Sequence, residues 1–229
     1  MMIRFAVLAL GIEAVLVFVL SLGDLKLQMP RFWAALLLAF CIYLVASRQV
    51  WIGVRWKVGW ILLAALLFRL TLLPSEPSLS DDIHRYIWDG RVQLEGINPY
   101  LYPPDSDQLL VLRDELWEKI NHREISTIYP PLSQILFRLT CAVSPTVFFT
   151  KAVMVSLDCA IVLLLIGILQ NRNEDPRRVL LYAWNPLPIV EVAGSGHIDP
   201  LGVLLLLLAL YFLMQQRRAA AAWALAGAF

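Results

Sequence analysis

The sequence predicts an all-α fold, a polytopic bundle of transmembrane helices with amphipathic helices lying in one large loop. Two observations predict the class. Of the 229 residues, 59% are hydrophobic and 16% charged, against roughly half and about a quarter in soluble domains. Several apolar runs also approach or exceed the ~20 residues that a helix needs to cross a bilayer. A third observation, basic residues recurring in alternate loops, sets the orientation. The formal net charge of +1 gives no sign of nucleic-acid binding. Cys41 and Cys159 fall in apolar segments and Cys141 in an amphipathic one. Without CxxC or metal-ligand spacing, all three read as packing residues.

The first span is Phe5–Leu22, preceded by Arg4. No small-residue cleavage site follows it and further spans come after, so it is not a signal peptide. Phe32–Ala46 and Val58–Leu73 complete an N-terminal set of three spans, residues 1–73. Residues 74–146 form the large loop, and 147–229 hold further spans at Val147–Leu169, Val179–Val192 and Leu201–Met214, then an apolar helix from Ala219. Asn185-Pro186 predicts a kink inside its span.

Pro130–Val143 decides the topology. Its two prolines suit a helix start and Ser144-Pro145 ends it, leaving about 13 residues, too few to span. Leu132, Ile135, Leu136, Leu139 and Val143 form an apolar stripe with Gln134 and Arg138 opposite, the pattern of a helix lying in the interface. Three basic loops then share one side: Arg48/Arg55/Lys57, Arg172/Arg177/Arg178 and Arg217/Arg218. The 74–146 segment, with 11 Asp/Glu against 6 Lys/Arg, takes the other. The positive-inside rule makes the N-terminus cytoplasmic and that segment extracytoplasmic.

Within the loop, SDDIHRYIWDGRVQLEGINPY (residues 80–100) concentrates charge. Ser80 is a natural N-cap, Asp81 and Asp82 suit the positive end of a helix dipole, and Gly96 suits the C′ position. Ile83, Tyr86, Ile87 and Leu94 share one face, with Asp82, Arg85 and Asp89 on another, which predicts a second amphipathic helix. Helix-start acids alone would explain the carboxylate pair. Its position adds more, because both carboxylates follow a span at the level of lipid head groups. A carboxylate beside apolar walls can act as a general base, and His84, Arg85 and Arg91 can hold a phosphate.

Asp81-Asp82 after an outward-going span, YPPL at Tyr129–Leu132, and the later WNP and GSGHID together resemble the GT-C superfamily of polytopic glycosyltransferases. The likeness covers roughly residues 60–210 and is nearest to bacterial mannosyltransferases and their relatives. It implies sugar transfer from a polyprenyl-phosphate donor to a hydroxyl acceptor on a glycan or lipid, on the outer face of the bacterial cytoplasmic membrane, with inversion. It also implies that Asp81 or Asp82 supplies the base, Asp81 being preferred with Asp82 in support. The chain departs from the family pattern in placing two spans before the motif-bearing third, and in being about half the usual length.

Other candidates follow from position. Arg69 lies near the outer end of a span, where a charge is costly, and suits a phosphate contact or snorkelling to the interface. Lys151 and Asp158, seven residues apart in one span, suggest an internal ion pair or, for Lys151, a contact to the donor phosphate. Glu191, His197 and Asp199 cluster on the same side as Asp81, where Gly194 and Gly196 allow a close approach to a ligand. Asp105-Ser106-Asp107 reads as a turn. Asn121-His122-Arg123 could contact an acceptor. Trp88, Tyr100, Tyr102 and Tyr129 suit an interfacial aromatic belt, and one of them, with Tyr129 the substrate-binding candidate, can stack on a sugar ring. No cofactor is required, although the paired carboxylates could hold a divalent metal.

Two other function classes compete. A lipid-sugar transporter or flippase needs polar residues along a path through several spans, whereas here they gather at one face. An inactive remnant or assembly partner fits the short length. Ala219–Phe229 stops after 11 apolar residues, about half a bilayer, and the family's members continue with further spans. The expectation is a truncated or split chain that needs those missing C-terminal spans for full activity. The topology is checked with reporters fused after Asp105 and after Asn173, which should lie on opposite sides of the membrane. Finding both on one side would contradict the interfacial placement of Pro130–Val143.

Overall fold

The computed structural model describes residues 2–228, and all their regular structure is helical. Three helices are long and apolar enough to cross a bilayer: α1 (Met2–Ser21), α2 (Met29–Trp51) and α7 (Val147–Asn171). The remaining α-helices are α3 (Val58–Leu72), α4 (Asp82–Leu94), α5 (Glu115–Glu118), α6 (Pro131–Val143), α8 (Leu180–Ala183), α9 (Pro186–Pro188), α10 (Asp199–Met214) and α11 (Arg218–Gly227), with short 3-10 turns at Asp107–Leu112 and Pro176–Val179. Between α9 and α10 runs a π-helical stretch, Ile189–Ser195.

The expected span Val179–Val192 is not one helix. The chain breaks at Asn185, whose side chain accepts from the Leu187 amide (3.1 Å), and Pro186 and Pro188 supply no N–H to continue the ladder. The break matches the kink read at Asn185-Pro186. Trp184, fully buried, anchors it by donating to the Ile61 carbonyl of α3 (3.0 Å) and packing edge-on against Phe68.

The loops sort to two ends of the bundle. At one end the α1–α2 turn meets the α3–α4 connection. The Leu25 amide donates to Ser78 Oγ (2.9 Å), and Lys26 pairs with Asp81 (3.1 Å). At the other end Arg177 donates to the Val54 carbonyl (3.3 Å) and Arg178 lies over the Trp51 ring (5.3 Å). Two of the basic loops read from the sequence therefore share an end, opposite the acidic segment.

The amphipathic reading of α4 is corrected. Ile83, Tyr86 and Ile87 are buried as expected, but so are His84, Arg85 and Asp89, while Leu94 is exposed. The reason is α6, which packs on α4 with its polar side. Gln134 Nε2 donates to Asp89 Oδ2 and to Thr127 Oγ1 (both 2.8 Å), and Gln93 Nε2 donates to Gln134 Oε1 (2.8 Å). The opposite, apolar side of α6 carries exposed Ile135, Leu139 and Val143, as a helix resting on lipid requires. Trp88 is also buried, in a small core with Val92, Leu109 and Ile120, and takes no part in an interfacial belt.

At the helix start the N-cap is Asp81 rather than Ser80, and its side chain caps nothing. Ser80 Oγ instead accepts weakly from the Asp82 amide (3.3 Å). Gly96 ends the helix at φ +75°, as read from the sequence.

Gly90 lets the two helices touch. A Cβ there would lie 2.5 Å from both the Phe137 carbonyl oxygen and Cys141 Sγ. Gly90→Ala should lower stability by ~1–3 kcal/mol through overpacking, more than the ~1 kcal/mol that alanine gains in helix propensity. Thermal unfolding in detergent checks this, and an unchanged Tm would contradict the close approach.

Candidate active site

Asp81 stands at the mouth of an open cavity lined by polar side chains at the acidic end of the bundle. Three chain segments build it. The α1–α2 turn brings Gly23, Asp24 and Lys26, the α3–α4 connection brings Glu76, Ser78 and Asp81, and His84 and Lys119 complete the wall. The Asp81 carboxylate is half exposed and receives both contacts of Lys26 Nζ (3.1 and 3.4 Å). An ion pair this exposed contributes about 0–1 kcal/mol, so a ligand can displace it.

His84 is buried, and its Nδ1 has no hydrogen-bond partner among the described residues. Burial, reinforced by the Lys119 charge and opposed by Asp81 and Glu76, holds its pKa below the usual histidine range. That shift favours the uncharged imidazole at neutral pH, whereas the sequence groups His84 with the cations that can hold a phosphate. It offers a hydrogen-bonding nitrogen, suited to a hydroxyl rather than to a phosphate.

Asp82 has different neighbours. Asn121 Nδ2 donates to it at 3.4 Å, and its charge bears on Tyr86 and Tyr129. Those two rings meet edge-on (5.0 Å between centroids), and Phe137 stacks on Tyr86 (4.7 Å). Burial first, with Tyr129 and Asp82 adding, pushes the Tyr86 phenol far above its usual range. Burial and Asp82 raise Tyr129 to about 12. Both stay protonated and keep α4, α6 and the Tyr129 loop in register.

Four cations read as phosphate candidates are tied up elsewhere. Arg69, 1% exposed, is ion-paired through Nε with Asp158 of α7. Arg85 pairs with Asp89 (2.8 Å) and donates to the Ile125 carbonyl (3.0 Å). Arg91 pairs with Asp114 (2.7 Å), nine residues and about 13 Å along α4 from Asp82. Lys151 is fully buried, and its Nζ donates to the Leu72 carbonyl (3.2 Å), the Ser75 carbonyl (2.6 Å) and Ser75 Oγ (3.2 Å). The expected Lys151–Asp158 pair is absent among the described residues, because Asp158 takes Arg69 and Tyr182 (2.5 Å) instead. Lys151 thus fastens the turn that leads into Asp81.

The cations that do face Asp81 or its cavity are Lys26 and Lys119, which the sequence reading missed. Asp24 and Lys26 carry the charge in the short turn between the first two spans, on the same side as Asp81, and that was a usable signal.

Glu191, His197 and Asp199 do come together, as expected. His197 Nδ1 lies 3.5 Å from Glu191 Oε2 and 3.8 Å from Asp199 Oδ2. They line a second, more apolar open cavity with Tyr182, Pro188 and Val203. Gly196 (φ +79°) joins this segment to α4. A Cβ there would lie 2.5 Å from Ile83 Cδ1 and 3.0 Å from Lys151 Cγ.

A divalent metal held by the paired carboxylates would need both to converge, yet Asp81 faces Lys26 and Asp82 faces Asn121. Among the described residues no group of three or more His, Cys, Asp or Glu side chains could hold a metal ion.

A family model described as alpha-(1->6)-mannopyranosyltransferase, N-terminal domain, matches residues 9–229. No curated protein and no solved structure matches the chain. The family match agrees with the resemblance carried by Asp81-Asp82, YPPL, WNP and GSGHID. By that match the chain belongs to the MptA_B family, a family of mannosyltransferase-type glycosyltransferases.

Proposed function

We propose that this chain transfers mannose from a polyprenyl-phosphate donor to a hydroxyl of a glycan acceptor, at the extracytoplasmic face of the membrane and with inversion. The observation that carries this reading is the Asp81 cavity. It is polar, open at the end of the bundle opposite the basic loops, and combines a displaceable carboxylate with the cations Lys26 and Lys119.

In the proposed step an acceptor hydroxyl enters the cavity and gives its proton to Asp81. The acceptor oxygen bonds to the anomeric carbon as the bond from that carbon to the phosphate oxygen breaks. The lipid phosphate leaves with the electron pair, and Lys26 and Lys119 balance its charge. Neutral His84 accepts or donates a hydrogen bond to a sugar hydroxyl. Asp82 orders Asn121 and the Tyr86–Tyr129 pair beside the base. Glu191, His197 and Asp199 line the neighbouring apolar cavity, where carboxylates suit sugar hydroxyls and the apolar walls suit the lipid.

Transfer of labelled mannose in membranes that hold the protein tests the roles. Asp81→Asn should lower kcat by about 10²-fold or more, the scale of a lost general base, with normal expression. A smaller loss is expected for Asp82→Asn. Near-full activity in Asp81→Asn would remove Asp81 as the base, and a larger loss in Asp82→Asn would exchange the two roles. Lys119→Gln should raise KM for the donor several-fold and leave acceptor KM unchanged. An unaltered donor KM would contradict a phosphate contact at Lys119.

A further inference from the structure

Two carboxylates of the Asp81 cavity take no part in the step just described. Asp24 belongs to the α1–α2 turn and Glu76 to the α3–α4 connection, and both line the cavity beside Asp81. Both are exposed, so a bound molecule can reach them. Neither forms an ion pair among the described residues, and Lys26, two positions from Asp24, goes to Asp81 instead.

The turn that carries Asp24 is firmly seated. Leu25 is buried in the main core, its amide donates to Ser78 Oγ (2.9 Å), and the Gln28 amide donates to the Leu25 carbonyl (3.1 Å). Ser78 lies two residues from Glu76, so the first of these bonds ties the two carboxylate-bearing segments together. Asp24 Oδ1 accepts from the Lys26 amide (2.9 Å), which leaves Oδ2 free for a ligand.

His84 points to a ligand independently. It lines the same cavity, is only 8% exposed, and makes no side-chain hydrogen bond among the described residues. Its Nδ1 is closed off from solvent, so Nε2 is the nitrogen that a bound molecule meets. A buried polar group without a partner is costly, and a hydrogen-bonding ligand removes that cost.

The chemistry of the set narrows the ligand. Ionised carboxylates only accept hydrogen bonds, so they call for donors and repel anions. A metal ion does not fit, since no group of three or more His, Cys, Asp or Glu among the described residues could hold one. Sugar hydroxyls are donors, and their bonds to a carboxylate are charge-assisted. The anionic phosphate of the donor is drawn to the lysines, which leaves the acidic pair to the acceptor.

We infer that Asp24 and Glu76 form the acceptor subsite. They bind hydroxyls of an uncharged terminal sugar, with His84 Nε2 as a third contact, and select neutral glycan ends over acidic ones. The inference rests on the reading of Asp81 as the base that takes the acceptor's proton.

The test is equilibrium binding to the purified chain in lipid nanodiscs. The probes are a short neutral mannose oligosaccharide and the same oligosaccharide with its terminal sugar oxidised to the uronic acid. The wild-type chain should bind the neutral probe about tenfold more tightly than the acidic one. Asp24→Asn keeps the bond within the turn, because the amide oxygen still accepts from the Lys26 amide. That variant and Glu76→Gln should each weaken binding of the neutral probe about tenfold, the scale of a lost charged hydrogen bond, and narrow the preference over the acidic probe. Helical circular dichroism should stay unchanged in both. Absence of binding of the neutral probe, unchanged affinity in both variants, or equal binding of the two probes by the wild-type chain would each overturn the inference. No turnover is involved, so this result stands apart from the effect of Asp81→Asn on transfer, which tests the base.

Discussion

Burying a charge without a partner costs several kcal/mol, and that constraint sorts the ionisable groups of this chain. Arg69 and Asp158 satisfy each other across α3 and α7, Arg85 and Asp89 within α4, and Lys151 is held by two carbonyls and a hydroxyl. Each serves the architecture. The groups that line the Asp81 cavity are Asp81, Lys26, Lys119, Glu76 and Asp24, with neutral His84 beside them. The active-site proposal thus rests on charges that are not locked into the helix packing.

The same constraint explains how α4 can be buried. A helix rich in ionisable residues can be buried only if each polar group meets a partner, and α6 supplies these through Gln134 while Gly90 allows the close approach. The Lys151 clamp fixes the turn before it, and Gly196 seats the broken helix against Ile83. The carboxylate pair is thus carried on a firmly held helix start with three supports. Preorganisation of this kind is what the proposed role of Asp81 as base requires.

Much of this was legible in the sequence. The helices Met2–Ser21, Met29–Trp51, Val58–Leu72, Val147–Asn171 and Asp199–Met214, the short α6 with its apolar stripe, the kink at Asn185-Pro186, Gly96 as a helix stop, and the clustering of Glu191, His197 and Asp199 all follow from local pattern. Pairing was not legible, because it depends on which helices meet. Lys151–Asp158 looked plausible at its spacing, but Arg69 approaches Asp158 from another helix. Likewise nothing local shows that Arg85 and Arg91 are already paired, since Asp89, the Ile125 carbonyl and Asp114 reach them only through the fold. Lys26 was passed over because it sits in a short turn far in sequence from Asp81. The inside-out arrangement of α6, polar side in and apolar side out, also turns on its neighbour α4, since periodicity reports a stripe without saying what it faces.

The central claim is that a single carboxylate, Asp81, acts as base in a direct displacement at the sugar. Its most direct test is the anomeric configuration of the first-formed product, read by NMR after transfer from a polyprenyl-phosphate mannose of known configuration. Direct displacement predicts inversion at the anomeric carbon. Retention would require a nucleophile and a second displacement, and would contradict the account.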